Sequence, residues 1–417
     1  MNRFKRYEKY KESGIEWLGD IPEHWEIKSL RHFVDYIKNG TSSTQVTESE
    51  FMVTRIETIS DGIIDVNKIG FVEHFKGIES YRLDKGDILF SHINSLPMVG
   101  NCAIYELDIP LYHGMNLLRI KPKTIVYPKW LFYFMKSHFF REYVKSISKH
   151  AINQVSVPIN KLKSLLLPYI PYVEQKVIAN FLDQKTAEID SLIADKEKLI
   201  ELLQEQRQAI ITLAVTKGLD PNVPLKDSGI EWLGEIPEHW NCIRMKYICD
   251  INPSKSELKA SSNTKITFLS MENISEEGIL NLQEERELAE VYNGFTYFRE
   301  NDVIVAKITP CFENGKVAIC KGLTNGLGFG TTELHVLRAK NIVYAEYIYL
   351  VIQSHIFRNM GTALMKGAAG QKRVPTEFIQ NFTIGIPPMN EQKDIINYVK
   401  QKSDYLFALI NSTKIEI

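Results

Sequence analysis

The sequence predicts an α+β fold in which two globular domains of mixed α and β structure are separated by two long helices. The helices are expected to form an antiparallel coiled coil, so that the chain is an internal pseudo-twofold duplication. Two observations support this prediction. The segment SGIEWLGDIPEHW at 13–25 returns at 228–240 with one change, from Asp20 to Glu235. After each globular stretch, apolar residues recur with a period of seven.

Repeated motifs also indicate the domain boundaries. The motif P-x-x-E-Q-K begins at Pro171 and again at Pro388, an offset of 217, whereas the first motif has an offset of 215 between Ser13 and Ser228. So small a difference predicts only short loop changes between the copies. We therefore expect a first globular domain at 1–170, a long helix at 171–218, a second globular domain at 219–387 and a shorter helix at 388–417.

The long helix is predicted from two heptad rows that follow the first P-x-x-E-Q-K motif. It is expected to end near Lys217, because Gly218 and Pro221 follow. One row is Ile178, Lys185, Leu192, Leu199, Gln206 and Leu213, and the other is Leu182, Ile189, Lys196, Leu203 and Ile210. The second copy repeats these rows as Ile395, Lys402 and Leu409, and as Val399 and Leu406.

Composition excludes several classes of protein. Of the 417 residues, 44% are hydrophobic and 24% are charged, which is typical of globular domains and not of disordered chains. The formal net charge is -1, so any nucleic-acid surface has to be local. The five cysteines contain no C-x-x-C pair, so neither a disulfide framework nor a zinc site is expected. No apolar run approaches the roughly 18 residues of a membrane span, so we expect a cytoplasmic protein without a membrane partner.

Motifs for catalysis are weak. An adenine methyltransferase needs an N-P-P-aromatic or D-P-P-aromatic loop, and Asn252-Pro253-Ser254 lacks both the second proline and the aromatic residue. Glu174 and Lys176 match part of a nuclease E-x-K pattern, but a glutamate at a helix start is already favoured by the helix dipole. We therefore predict no catalytic residue and no metal site.

Binding chemistry is concentrated in loops that differ between the copies while their flanks match. Amides, hydroxyls, histidine and arginine suit base edges, and lysine and arginine suit phosphates. The candidate DNA-binding residues of the first copy are Arg55, Ser91, His92, Asn94, Ser95, Asn101, Lys149, His150, Asn153 and Gln154. Those of the second copy are Asn273, Lys307, Thr309, Asn314, Lys316, Lys366, Gln371, Lys372 and Arg373.

These motifs resemble those of the specificity subunit of type I restriction-modification systems. The resemblance covers nearly the whole chain: the SGIEWLG-x-IPEHW openings, the P-x-x-E-Q-K helix entries and the junction EQRQAIITLAVTKGLDPNVPLKDSGIEW. It implies a protein without an active site, whose two target recognition domains each bind one half of a split double-stranded DNA site. The sequence departs from the family pattern at one place, because the R-Q-x-x-I-x-x-A-V-T stretch at 207–216 has no counterpart after the second helix.

The same resemblance implies the partners. The helices would space the domains and dock two methyltransferase subunits, and motor-nuclease subunits would join for restriction. No cofactor is expected on this chain, since S-adenosylmethionine, ATP and Mg would belong to the partner subunits. Two other functions remain alternatives. One is a methyltransferase-nuclease fusion, and the other is a coiled-coil scaffold that binds peptide or glycan ligands instead of DNA.

Overall fold

The structure is a computed structural model that describes residues 7–60, 62–152, 154–368 and 371–417. The chain divides into two units, Met1–Ser191 and Leu192–Ile417. This division falls within one long helix, so each unit combines a globular domain with part of that helix. None of the helices in the described ranges is long and apolar enough to cross a membrane. Those ranges likewise contain no cluster of three or more His, Cys, Asp or Glu side chains suited to a metal ion.

Unit 1 has small antiparallel sheets and three short helices ahead of the long one. Its strands are β1 Tyr10–Glu12, β2 Asp20–Pro22, β3 Glu26–Ser29, β4 Val34–Asn39, β5 Gln45–Val46, β6 Phe51–Val53, β7 Gly70–Val72, β8 Ile88–Ser91, β9 Ile93–Asn94, β10 Cys102–Ile104, β11 Leu117–Pro122, β12 Lys149–Ala151, β13 Gln154–Ser156 and β14 Leu166–Tyr169. Its helices are α1 Pro128–Lys136, α2 His138–Ile147, α3 Ile159–Ser164 and the start of α4 Tyr172–Lys217.

Unit 2 repeats much of this plan, with four sheets where the described part of unit 1 has five. Its strands are β15 Leu225–Asp227, β16 Glu235–Pro237, β17 Asn241–Arg244, β18 Cys249–Ile251, β19 Lys265–Leu269, β20 Glu285–Glu287, β21 Thr296–Arg299, β22 Val303–Ala306, β23 Val317–Ile319, β24 Leu327–Gly330, β25 Leu334–Ala339 and β26 Thr383–Ile386. Besides the end of α4, its helices are α5 Met245–Ile248, α6 Leu288–Val291, α7 Ala345–Gln353, α8 His355–Ala363, α9 Thr376–Asn381 and α10 Met389–Ile415.

The central sheets of the two units have the same topology. In unit 1 the order is β10-β8-β11-β4, and in unit 2 it is β23-β22-β25-β18, with every neighbouring pair antiparallel. A serine begins the equivalent helices α2 and α8. The Ser137 and Ser354 hydroxyls each accept a hydrogen bond of 3.3 Å from the backbone N–H three residues later, as N-caps do. The α+β prediction and the internal duplication are both confirmed.

A buried ion pair joins equivalent strands of each central sheet. Asp87 at the start of β8 contacts Arg119 of β11 at 2.6 Å, and burial raises the pKa of this aspartate. In unit 2, Asp302 accepts two hydrogen bonds from Arg338, at 2.8 and 2.7 Å. Both aspartates precede the apolar run of a central strand, so each pair ties that strand to its neighbour in a fixed register.

The helices of unit 2 pack antiparallel. Gly218, at the end of α4, lies against Glu391 near the start of α10, because a Cβ on this glycine would be 3.2 Å from the carboxylate. Lys196, six turns earlier on α4, forms an ion pair with Glu416 just beyond the end of α10. Since the end of one helix meets the start of the other, the antiparallel prediction is confirmed within unit 2.

One of the two predicted heptad rows is wrong in unit 2. The row through Lys196, Leu203 and Ile210 is half-buried as predicted, whereas Leu192, Leu199 and Leu213 of the other row are exposed. The second row of the seam is formed instead by Ile193, Ile200 and Arg207, which are half-buried. On α10 the seam is Ile395, Val399, Leu406 and Ile410, and Leu409 and Lys402 lie outside it. A spacing of seven fits several faces of one helix, and only the packed partner selects the buried face.

Candidate recognition site

The two candidate loops of the first copy meet in one small sheet. Strand β9 carries Asn94 and pairs with β13, in which Val155 lies opposite this asparagine. Strand β12, with Lys149 and His150, forms the outer strand of the same sheet. The backbone N–H of Val157 donates to the carbonyl of His92 at 2.8 Å and holds the two segments together. We call residues 91–101 with 149–152 and 154–156 the first loop cluster.

The corresponding loops of the second copy are joined by an equivalent hydrogen bond. The N–H of Val374 donates to the carbonyl of Lys307, also at 2.8 Å. The N–H of Thr309 donates to the carbonyl of Lys372 at 3.0 Å, and Ile308 forms a bridge with Arg373. We call residues 307–316 with 366–368 and 371–373 the second loop cluster. The backbone arrangement is therefore shared, while the side chains on it differ.

A third candidate segment adjoins each cluster. In unit 1 the Asn101 side-chain amide donates to the carbonyl of Ser60 at 2.9 Å. In unit 2 the Lys316 ammonium donates to the carbonyl of Met271 at 3.0 Å, in the turn that includes Asn273. The Arg55 guanidinium is partly exposed and lies 3.5 Å from a Glu57 carboxylate oxygen. In each unit, a side chain of the loop cluster thus donates a hydrogen bond to a backbone carbonyl of this third segment.

The predicted residues differ widely in exposure. Ser91 and His92 are buried, and the Ser91 hydroxyl accepts a hydrogen bond from the Asn94 side chain at 3.1 Å. Asn153 lies outside the described residues. The half-buried residues are Asn94, Asn101, Asn273, Lys307, Thr309 and Lys316. The exposed residues are Arg55, Ser95, Lys149, His150, Gln154, Asn314, Lys366, Gln371, Lys372 and Arg373.

The surroundings of two buried or half-buried candidates determine the charge of one and the hydrogen bonding of the other. Burial lowers the pKa of His92, so its imidazole is neutral at physiological pH and carries no charge for a phosphate. Asn101 accepts a hydrogen bond of 2.7 Å from the Arg141 guanidinium. A cavity of about 390 Å³ lies here, lined in part by Arg141 and Lys136. No local pattern in the sequence indicates these two cations, because Lys136 belongs to the regular helix α1 and Arg141 to α2.

Glu333 is a further residue that the loop comparison missed. Its carboxylate accepts two hydrogen bonds of 2.8 Å from the Arg373 guanidinium, in a bidentate arrangement. The hydrogen bond from Arg373 lowers the pKa of Glu333, so the carboxylate is ionised at neutral pH. This pair fixes the guanidinium plane and neutralises part of the positive charge of the second loop cluster. The two residues are 40 positions apart, a separation that no local pattern reveals.

The repeated E-H-W and E-Q motifs bind each other in both units. Glu174 accepts hydrogen bonds from the Trp25 indole at 3.0 Å and from the His24 ring at 2.7 Å. In unit 2 Glu391 contacts Trp240 and His239 at the same distances. The next residue also bonds backbone groups: the Gln175 side chain accepts from the Tyr127 N–H and donates to the Ile170 carbonyl, at 2.8 and 2.7 Å. The glutamate of each E-x-K pattern is thus part of the scaffold.

Comparison with protein families identifies the repeated unit. The model of the "Type I restriction modification DNA specificity domain" matches residues 22–202 and 237–417, one match in each copy. Together these matches cover more than half of the chain.

Individual proteins give the same result. The chain is 32% identical to the protein of Methanocaldococcus jannaschii assigned as the specificity subunit of type I restriction enzyme MjaX, over 97% of this chain and 92% of that protein. A chain from a structural study of complex assembly in the type I R-M system superposes with a TM-score of 0.67 at 17% identity, covering 95% and 94%. The HsdS subunit from Thermoanaerobacter tengcongensis superposes with a TM-score of 0.55 at 15% identity, covering 94% and 92%. The two solved structures support the fold.

Proposed function

The chain belongs to the family of type I restriction-modification DNA specificity subunits, and from this membership we propose that its two loop clusters each bind one half of a split DNA site. The protein is a DNA sequence-recognition subunit and not a catalytic one, because its relatives are the specificity subunits of type I restriction enzymes. Each target recognition domain contributes one loop cluster, and the two halves of the site differ in sequence.

One observation carries this proposal. The bond from Val157 to His92 in the first cluster has its counterpart in the bond from Val374 to Lys307 in the second. The same backbone hydrogen bond therefore holds together two loop clusters that carry different side chains. A duplicated scaffold with different loops suits the recognition of two different sequences, whereas one shared ligand would favour identical loops.

The side chains divide by chemistry. In the first cluster Asn94, Ser95, Gln154 and His150 offer amide, hydroxyl and imidazole groups suited to base edges, with Lys149 for a phosphate. The second cluster is more basic, and its Lys366, Lys372 and Arg373 suit phosphates and guanine. We place the buried Ser91 and His92 behind the contact surface, where they support the loop. The remaining candidates, Arg55, Asn101, Asn273, Lys307, Thr309, Asn314, Lys316 and Gln371, complete the proposed surface, and Asn153 adjoins it in sequence.

The subunit functions within a larger complex with two methyltransferase subunits and motor-nuclease subunits. We place the docking of methyltransferase subunits on the helices, because α4 leaves Leu192, Leu199, Leu202 and Leu213 exposed. S-adenosylmethionine, ATP and Mg are assigned to those partners, and the complex works in the cytoplasm on cellular DNA. The proposed chemistry for this chain is therefore binding and positioning alone.

The experiment that tests this function maps methylated adenines in DNA modified by the assembled complex. We expect one bipartite sequence with a constant gap. Methylation without a shared bipartite sequence would contradict the proposal. A scaffold that binds peptide or glycan is distinguished by salt, since phosphate contacts give a steep decrease of log affinity with log salt concentration, and an uncharged groove does not.

A further inference from the structure

We propose that a cavity in unit 2 binds a phosphate group through the guanidinium groups of Arg207 and Arg358. The cavity has a volume of about 860 Å³ and is lined by residues of α4, α8, α10 and the second loop cluster. All of its lining residues belong to unit 2. The binding of phosphate does not depend on the proposed function, whereas the assignment of that phosphate to DNA rests on it.

Arg358 of α8 has no partner of opposite charge. Its side chain forms no ion pair or hydrogen bond with any residue in the described ranges, and its Nε is buried without a partner. Burial lowers the pKa of Arg358, and the nearby Arg207 guanidinium lowers it further. An arginine still keeps its proton in a protein, so the charge remains. Because a buried charge without a partner is costly, a bound anion would stabilise this side chain.

The first copy provides a partner for the same arginine. Arg141 precedes Arg358 by 217 positions in the repeated motif S-H-x-F-R, and its guanidinium donates to the Asn101 side chain at 2.7 Å. The position of Asn101 is taken in the second copy by Lys316, whose ammonium donates instead to the Met271 carbonyl at 3.0 Å. Replacement of an acceptor by a cation therefore leaves the arginine of the second copy free to bind a ligand.

Two residues of α4 add donors to the cavity. Arg207 donates to the Gln353 side chain at 3.1 Å and, within the part of the chain that the structure describes, forms no ion pair. Thr212 also lines the cavity, and its hydroxyl is buried without a hydrogen-bond partner. Guanidinium groups donate several hydrogen bonds in a planar fork that matches phosphate oxygens. Two guanidinium groups and a hydroxyl are therefore suited to one phosphate group.

Carboxylates also line the cavity, but they do not neutralise the two arginines. The acidic lining residues are Glu201, Glu205, Glu276 and Glu277. All of them are exposed, so water screens their charges. Glu276 accepts a hydrogen bond of 2.7 Å from the Asn314 side chain, and none of the four forms an ion pair with Arg207 or Arg358.

The position of the cavity indicates the source of the phosphate. A Cβ on Gly315 would be 2.9 Å from an Nη atom of Arg358, so the backbone of the second loop cluster lies directly beside the guanidinium. Asn314, which also belongs to this cluster, lines the cavity as well. The site therefore adjoins the surface on which the proposed function places DNA. We assign the phosphate to a DNA strand bound there, and a free phosphate compound is the other source of the same group.

The first test measures binding of inorganic phosphate to the full-length protein by isothermal titration calorimetry. We expect saturable binding that Arg358→Met and Arg207→Gln each weaken at least about tenfold, because each removes a charged donor. Arg244→Gln is the control, since it removes a positive charge from an exposed position outside the cavity. Without phosphate, Arg358→Met should unfold at the same or a higher temperature, because an apolar side chain replaces an unpaired buried charge.

The second test identifies the source of the phosphate. Binding of the assembled complex to DNA that carries its methylated site is measured at several salt concentrations. If DNA supplies the phosphate, Arg358→Met reduces the slope of log affinity against log salt concentration by about one, and Arg244→Gln does not. An unchanged slope together with loss of inorganic phosphate binding would support a free phosphate compound as the ligand.

One pair of results would overturn the proposal. In this case Arg358→Met and Arg207→Gln bind inorganic phosphate as the Arg244→Gln control does, and their salt slopes are also unchanged. The calorimetry contains no DNA, so its result stands even if methylation shows no bipartite sequence. Failure of the phosphate site can therefore be distinguished from failure of the proposed function.

Discussion

Glu391 accepts a hydrogen bond of 3.0 Å from the indole nitrogen of Trp240, and Glu174 accepts the equivalent bond from Trp25 at the same distance. Each bond joins the repeated segment at the start of a domain to the first turn of the helix at its end. The two most recognisable motifs of the sequence therefore bind each other, which explains why they recur together in both copies.

We expect Glu174→Gln to destabilise unit 1 by about 1–3 kcal/mol at pH 7, since three donors lose an ionised acceptor. Burial alone would raise the pKa of Glu174, but hydrogen bonds from three side chains lower it below its usual value of 4.5. Because the folded-state pKa is depressed, this stabilisation is present above pH 4.5 and is lost as the pH falls through the folded-state pKa. Urea unfolding at pH 7 and pH 3.5 measures the difference, with the exposed Glu197→Gln as the control. An effect equally large at both pH values would contradict the role of the charge.

The buried pair in unit 2 should be costly to break. Asp302→Asn removes the buried charge beneath Arg338 and is expected to cost about 1–3 kcal/mol, because the buried guanidinium would keep only the partly exposed Glu257 as an ionised partner. The exposed pair of Asp250 with Lys340, at 3.1 Å, is the control, and Asp250→Asn should cost less than about 1 kcal/mol. Thermal unfolding followed by circular dichroism compares the two variants. Equal losses would show that the pair has no special structural role.

Arg373 should contribute to binding of one half-site. We expect Arg373→Ala to lower affinity by about 1–3 kcal/mol if the side chain contacts a base, or to reduce the salt slope by about one if it contacts a phosphate. Glu333→Gln should change base preference at the same position, because Glu333 orients the guanidinium. The control is Arg286→Ala, which removes a similar pair with Glu284 outside the loop cluster. Unchanged affinity and salt slope in Arg373→Ala would remove this residue from the interface.

Exchange of the loops should separate the two half-sites. Replacing 91–101 by the sequence of 307–316 is expected to change one half of the methylated site and leave the other half intact, and the reciprocal exchange should have the reciprocal effect. Sequencing of methylated adenines provides the measurement. A single exchange that altered both halves would contradict the assignment of one loop cluster to each half-site.

The length of α4 should set the gap between half-sites. Four residues inserted after Ser191 add about 6 Å of helix and keep the seam nearly in phase. At roughly 3.4 Å per base pair, the preferred gap should lengthen by about two base pairs. This insertion lies outside the contact of Lys196 with Glu416, so the helix packing of unit 2 is preserved. If the folded variant methylates DNA at the original spacing, α4 does not act as a spacer.

Much of the fold could be predicted from local sequence signals. The duplication, the α+β class and the long helix depend on motifs and spacing that remain visible in one dimension. The candidate loops could also be identified from the sequence. Residues 91–101 and 149–154 differ from the corresponding residues of the second copy, while the segments beside them match. Such signals are sufficient where one copy of a repeat can be compared with the other.

Tertiary packing decided the rest. The heptad spacing by itself favoured the row of Leu192, Leu199 and Leu213 as much as the correct one, because a helix with leucines on several faces offers several seams. Only the antiparallel contact with α10 selected the row of Lys196, Leu203 and Ile210. Likewise, the sequence indicated His92 and Arg373 as candidates for DNA binding, but the fold buried His92 and paired Arg373 with Glu333, 40 positions away. Exposure and pairing depend on contacts between distant segments, and the free energy of those contacts exists only in the folded chain.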